Sequence, residues 1–476
     1  MFQGEGATER LVEFVRDTKF SDLPSAVVHD TKRIILDSIA CAVGGYAIDA
    51  GKIVVEMAHE LGGAPMSTIL ANGAMVSPAS AAFANTALGN ALDADETFLN
   101  SGHHAVCAVF PALSIVESRG LSGKDLITSV ALGFDVGSRV GLSLTWAKIT
   151  ETGAIEFAPK SGLGWLVFSA VAAAGKALGL DKDQLANALG IAGYGSPLPS
   201  ASRWGETAAG KPMLKYAPYS FIGLAGVMAA QMAQKGYTGD RTFLDGYWKL
   251  AGTSECNWDI LIKDLGKIWW ISSTSIKPYA SCRWTHYSLD LFLKILNEQK
   301  LRPEEIEEVI VDTFSIAASP HLSGVVDPET QIDMQFSIPF VLAVAAHGIE
   351  LTPQWQSTGN MKEKRFREFA RRVKVHANSS ALTIMSQDIK HEGRFKRIPT
   401  KVTVSARGKK FTASTEYAWG DPWTEETRMT DEQLAHKFRA YCSGMLRSGK
   451  IEKALDMLNN LESVGNVSME LMSLLR

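Results

Sequence analysis

Apolar positions in the first half of the chain recur at helical spacing, and cap and breaker residues mark the gaps between them. Ser21-Asp22-Leu23-Pro24 opens a segment with Val27, Ile34, Ile35, Ala40 and Val43 apolar, and Gly44-Gly45 closes it. Residues 76–92 are rich in alanine and other small residues, a composition that suits close approach of neighbouring helices. Further helices are predicted from Leu121-Ser122-Gly123-Lys124-Asp125 onward, over 168–178 and 184–191, and over 219–235. After about residue 270 the spacing changes. Alternation predicts strands at 307–313, 373–376, 400–405 and 410–415, with a hairpin at Arg407-Gly408-Lys409 and helices at 337–347 and 362–370 between them. Helical spacing returns from Thr430. The pattern predicts a mainly α protein with a second α+β domain: a large helical domain from 1–272 and 412–476, and a smaller α+β lid over 273–411.

Composition narrows the functions open to such a fold. A chain of 476 residues needs two or three domains. A net charge of −3 gives no bulk attraction to nucleic acid or to an anionic membrane, so neither partner is expected. The most apolar stretches, such as 337–348, are too short to span a bilayer, and Met1 to Gly6 do not begin a signal peptide. Cys41, Cys107, Cys256, Cys282 and Cys442 are scattered, odd in number and without a CxxC pair, which fits neither a disulfide framework nor a thiolate zinc site. A reducing, cytoplasmic location is expected. With no GxGxxG after a strand and no P-loop, no cofactor is expected either.

Three segments carry candidate chemistry. Asn90-Ala91-Leu92-Asp93-Ala94-Asp95-Glu96-Thr97 sets three carboxylates at the end of an apolar helix and leads to Gly102-His103-His104. If that helix continued, Asp93 and Thr97 would share a face. The same residues are open to a solvated helix end, or to a metal-dependent hydrolase built on Asp93, Asp95, His103 and His104. In Gly210-Lys211-Pro212-Met213-Leu214-Lys215-Tyr216-Ala217, a buried Lys215 would need an anion, and a substrate carboxylate is one candidate. In the segment from Lys277 to His286, Cys282 and His286 would stack on one helical face, with Lys277 and Arg283 forming an anion pocket beside them.

In order, these segments resemble the MmgE/PrpD family, which includes 2-methylcitrate dehydratases, cis-aconitate decarboxylases and an iminodisuccinate epimerase. The family's DFDDT stretch, followed by HP(S/G) and V-x-P-A, is similar to Asp93-Ala94-Asp95-Glu96-Thr97, His104 and Val109-Phe110-Pro111-Ala112. Lys215 ahead of Gly226 and Ala229-Ala230 matches its lysine segment, and Lys277, Tyr279, Cys282 and His286 match its K-x-Y-P-x-C…H segment. Weaker matches are Leu132-Gly133-Phe134-Asp135 with Arg139, Gln335 to Pro339, and Gly420-Asp421-Pro422, so the resemblance runs from about residue 10 to 445.

The resemblance implies a cofactor-independent lyase or isomerase acting on a small di- or tricarboxylic acid, homodimeric, with its site between the domains. It implies His104, with His103 as rival, as general acid/base oriented by Asp93 and Thr97. Lys215 and Lys277 would hold substrate carboxylates, with Cys282, Arg283 and His286 close by. Two departures argue against plain cis-aconitate decarboxylation, which needs a placed acid: Ala158, in Phe157-Ala158-Pro159, and Cys282 occupy positions where the decarboxylase branch has histidines. Lys211 or Tyr216 would have to substitute, or the chain would be a carboxylate-binding member without activity.

Overall fold

Helix starts follow local capping chemistry. The computed structural model of the chain describes residues 5–99, 101–144, 147–149, 155–157, 163–196, 204, 209–253 and 255–476. Helix Pro78–Ala91 begins where the Ser77 side chain accepts the Ser80 N–H, with Pro78 in the first turn. Capping boxes open Gly123–Ser143 (Ser122 with Asp125) and Asp431–Cys442 (Thr430 with Gln433). Helix Leu166–Leu178 lies inside the helical domain against His104–Arg119, Gly123–Ser143 and Tyr219–Gln234. Small residues make this possible: a Cβ on Gly226 would fall 2.3 Å from the Ala170 Cβ. Helix Asp431–Cys442 packs back on Ser25–Gly45, so the last part of the chain rejoins the first.

The lid carries a four-stranded sheet in the order Val373–Ala377, Ile306–Thr313, Thr400–Ala406, Lys409–Thr415. Only the first pair is parallel, with Val309 opposite Val373; Val309 also pairs antiparallel with Val404. Arg407 and Gly408, both at positive φ, make the two-residue hairpin turn. Helix Arg283–Gln299 covers the sheet. The return strand runs to Thr415, so a seam at 411 would cut it. The helix predicted over 362–370 is present as Lys364–Ala370, preceded by a separate short helix, Thr358–Lys362. Helices Ala7–Asp17, Asp49–Leu61 and Ser448–Asn459 add to the predicted set.

The lid closes on the helical domain through polar groups. Gln335 donates to the Ala91 carbonyl (2.9 Å) and to Gln356 Oε1 (2.7 Å), while Gln356 donates to the carbonyls of Leu92 (2.8 Å) and Ala280 (2.9 Å). The open carbonyls at the end of helix Pro78–Ala91 are thus satisfied from the lid. Asp333 accepts the N–H groups of Gly210 and Lys211 at 2.9 and 3.1 Å and faces Lys211 Nζ at 3.5 Å, fixing the loop that leads to Lys215. Among the described residues no single helix is long and apolar enough to cross a membrane. Ala158 and Pro159 lie outside the described residues.

Candidate functional site

Helix Pro78–Ala91 stops two residues before Asp93, and Asp93 turns the chain with φ 54°. Lys215, on the opposing loop, has φ 60°. Left-handed backbone is uncommon for non-glycine residues and concentrates where function holds it in place. These two residues face one another. Lys215 Nζ is 3.2 Å from Asp93 Oδ1 and donates to the Asn90 carbonyl at 2.5 Å. Lys277 Nζ approaches Asp93 Oδ2 at 3.3 Å and donates to the Asp93 carbonyl at 2.6 Å. All three residues are buried. Burial alone would raise the Asp93 carboxyl, but Lys215, Lys277 and His103 hold it well below the usual carboxylate range. Burial leaves the Lys215 ammonium below the ordinary lysine value although Asp93 opposes this.

Tyr216, next to Lys215, joins this cluster to a histidine. Its hydroxyl donates to Asp93 Oδ1 (3.1 Å) and lies 2.7 Å from His103 Nε2. On the other side, His103 Nδ1 lies 3.1 Å from Asp95 Oδ2, close enough for ion pairing but poorly aligned for a hydrogen bond. Asn90 donates to both oxygens of Asp95 at 3.0 and 3.2 Å. A tyrosine has one proton to give. If Asp93 receives it, His103 Nε2 must donate, and Nδ1 faces a carboxylate. The count places an N–H on Nε2, with Nδ1 held 3.1 Å from the Asp95 carboxylate.

The histidine in the cluster is therefore His103, which reverses the preference for His104 drawn from the motif register. Neighbouring residues at a helix start point about 100° apart, from 3.6 residues per turn. His104 is the first residue of His104–Arg119, turned into the core between Phe98 and Phe134. Its Nε2 contacts Ser101 Oγ at 2.8 Å and its Nδ1 contacts Ser169 Oγ at 2.9 Å, so both nitrogens are occupied away from Asp93. Glu96 caps the same helix by accepting the Ala105 N–H at 2.7 Å, and burial beside Asp95 raises its carboxyl well above the usual range. Thr97 shares no helical face with Asp93, because the helix has ended. It pairs through its backbone with Ser275 at 2.8 and 3.0 Å.

The third segment divides. Lys277 reaches Asp93, but Cys282 and His286 do not stack within one helix, since Cys282 is the N-cap of Arg283–Gln299. The thiol is beside Asp93 and Lys277, where burial pushes it up to about 12 and keeps it protonated. Arg283 is taken by Asp421 (2.7 Å) and the carbonyls of Trp419 (2.8 Å) and Ala418 (3.2 Å), which leaves no anion pocket there. His286 accepts from Arg283 at 3.1 Å and donates to the Ser281 carbonyl at 3.2 Å, the oxygen that Lys277 also approaches at 3.5 Å. It orients the Lys277 segment without entering the cluster. Trp204 and the lid residue Phe336 pack edge-on around Tyr216, with ring centroids at 5.5 and 6.0 Å, closing the site.

Asp95 and Tyr216 are the members that the motif comparison did not assign. Asp95 lay in the acidic run. Tyr216 enters the sequence reading only as a substitute for the missing histidines.

The buried histidines make stability sensitive to acid. Burial, and secondarily the charge at His103, pushes His104 down to about 3. Burial and Lys211 push His321 down to about 4, and burial with Arg283 holds His286 well below its ordinary value. In the unfolded chain each titrates near 6.5. Between that value and the folded one the unfolded state binds the extra proton, so folding weakens as pH falls. Above about pH 6.5 the full stability is present. Denaturant melts at pH 7, 6 and 5 are expected to show a loss of about 1 kcal/mol per unit from His104 alone below pH 6. His104→Gln, which does not titrate, is expected to flatten that slope.

The chain is similar to known proteins along most of its length. The MmgE/PrpD N-terminal domain profile matches residues 9–256 and the C-terminal domain profile matches 279–463. The cis-aconitate decarboxylase of Aspergillus terreus is 25% identical over 495 aligned residues, covering 97% of this chain and 94% of that protein. The human and mouse cis-aconitate decarboxylases are 24% and 23% identical, covering 97% and 98% of the chain and 93% and 92% of their own lengths. With both domain profiles matched in order and the relatives aligned nearly end to end, the chain belongs to the MmgE/PrpD family.

Proposed function

We propose that the protein is a cofactor-independent lyase acting on a small di- or tricarboxylic acid, most closely of the cis-aconitate type, with His103 as its proton donor. The observation that carries this reading is the Tyr216 hydroxyl, set between Asp93 and His103 and flanked by two buried ammonium groups. Substrate carboxylates bind at Lys215 and Lys277. When one carboxylate leaves as CO2, its electron pair stays on carbon and spreads onto a neighbouring carboxylate. The ammonium groups stabilise that charge in a site shut off from water. His103 then supplies the proton that completes the C–H bond, and Tyr216 relays it by taking one from Nε2 as it gives up its own. Asp95 stabilises the imidazolium before transfer. The buried Tyr219 hydroxyl, on a ring edge-on to His103 and Tyr216, is suited to a further substrate oxygen. Dehydration and epimerisation would draw on the same groups, and the decarboxylase relatives favour the first reading.

The test is turnover of cis-aconitate, citrate-type and succinate-type acids in D2O, followed by NMR. Release of CO2 with one deuterium on the product carbon is expected. Binding of these acids without any product or deuterium would mark a carboxylate-binding protein and overturn the lyase reading.

A metal reading has one observation in its favour: ligand atoms of Asp95, Glu96 and His103 lie within 4.8 Å of one another. It predicts a hydrolase that chelation silences and elemental analysis finds loaded. The lyase reading predicts activity unchanged by chelators.

We also place a second copy of the chain over the apolar surface beside Lys215. Met213, Leu214 and Phe221 are 54%, 51% and 55% exposed there, and Ile53, Met213 and Leu214 line a 180 Å³ cavity together with Lys215. Light scattering is expected to give a dimer for the wild type and a monomer for Phe221→Glu. All five cysteines are unpaired, which supports a reducing, cytoplasmic setting.

A further inference from the structure

Lys437 lies on helix Asp431–Cys442 near the end of the chain, far in sequence from every residue of the site, and is buried. Its Nζ donates to three oxygens: Asp37 Oδ1 at 2.5 Å, the Ala94 carbonyl at 2.7 Å and the Lys277 carbonyl at 2.8 Å. An ammonium has three protons, and all three are used. Burial alone would depress this ammonium, but the Asp37 carboxylate more than reverses the effect, and its pKa is raised above the ordinary lysine value.

The two carbonyls are not arbitrary ones. Ala94 follows Asp93 at the left-handed turn, and Lys277 is the residue whose own ammonium reaches Asp93. Neither backbone stretch belongs to a helix, and besides Lys437 they are joined by the Thr97–Ser275 bridge and by the Lys277 ammonium on Asp93. We infer that Lys437 is a positioning residue for the proposed reaction, a three-pronged clamp that sets the distance between the Asp93 turn and the Lys277 backbone. Asp37 holds the clamp in place and balances its charge, so the effect on the site is one of placement and not of added field. Misplacing reacting groups by about 1 Å costs on the order of 100-fold in rate.

This inference rests on the lyase reading for its kinetic arm only. Lys437→Met removes the clamp but strands Asp37. The double variant Asp37→Asn/Lys437→Met removes both charges and isolates the loss of the two carbonyl contacts. In both, kcat is expected to fall about 10- to 100-fold with KM within about threefold. Hydrogen exchange supplies a readout independent of turnover, because the Thr97 and Ser275 amides bond across the two stretches that Lys437 joins. Their exchange is expected to quicken at least about tenfold in the double variant, while amides of helix Leu166–Leu178 stay as in the wild type. A double variant with kcat within about threefold of wild type, or with unchanged Thr97 and Ser275 exchange, overturns the inference. If the wild type turns over none of the acids, the lyase reading fails, and exchange alone decides the role of Lys437.

Discussion

His103→Asn is expected to lower kcat by roughly 10²–10⁴-fold, the usual worth of a placed general acid, and to lower the melting temperature as well, because Asp95 loses its facing imidazole. His103 sits at the N-cap of its helix, so the substitution removes the Nε2 contact to Tyr216 and the charge beside Asp95, and asparagine is well tolerated at an N-cap. His104→Asn acts chiefly on stability. It leaves the Ser101 and Ser169 hydroxyls without their ring partner and opens space between Phe98 and Phe134, a loss of about 2–4 kcal/mol in stability. Its kcat, measured at a temperature where it is folded, is expected to stay within about tenfold of wild type. Steady-state kinetics with thermal melts on both variants decides the matter. A His103→Asn enzyme that retains turnover, or a His104→Asn enzyme that is stable and inactive, returns the role to His104.

Asp93→Asn is expected to be among the most destabilising single substitutions in the chain, at about 3–5 kcal/mol, because it leaves two buried ammonium groups facing a neutral amide. Asparagine accepts the left-handed backbone as readily as aspartate, so the loss reports charge and not strain. The sign of the pH dependence gives a second check. The Asp93 carboxyl is held well below its usual range in the folded state, so its contribution is complete above about pH 4 and is lost as pH falls toward the folded value. Wild type therefore loses an increment of stability below pH 4 that the variant lacks. Equilibrium denaturation at pH 7, 5 and 3 measures both. A variant as stable as wild type at pH 7 would remove Asp93 from the centre of the site.

The fold was legible where local chemistry decides structure. The starts at Ser122 and Thr430 and the Arg407-Gly408 turn mark their elements by residue type alone. The small-residue spacing around Gly226 likewise announced close helix packing. The site was legible by segment but not by atom. Lys215 and Lys277 could be named because a buried ammonium needs an anion, yet that anion is first of all Asp93 of the same chain. The choice between His103 and His104 turns on where one helix begins, a matter of one residue that periodicity does not resolve. Thr97 was paired with Asp93 on the premise of a continuing helix, and the chain instead turns at Asp93 itself. Arg283 carries the right charge at the right place in the sequence, but Asp421, well over a hundred residues on, had already claimed it. Gln335, Gln356 and Lys437 shape the site through contacts to backbone carbonyls, and such contacts leave no mark in the pattern of residue types.

The bond from Lys437 to Asp37 spans 400 residues of chain. A protein emerging from the ribosome meets that span in time. Asp37 and Asp93 are made early, and the cations that let them be buried arrive at positions 215, 277 and, last, 437. Until helix Asp431–Cys442 has been synthesised, the interior charges of the helical domain have incomplete partners, and burying them is unfavourable. The large domain is thus expected to stay loosely closed through most of translation and to settle only near its end. A polypeptide halted before residue 437 would present an open core, one that quality-control proteases read as unfinished.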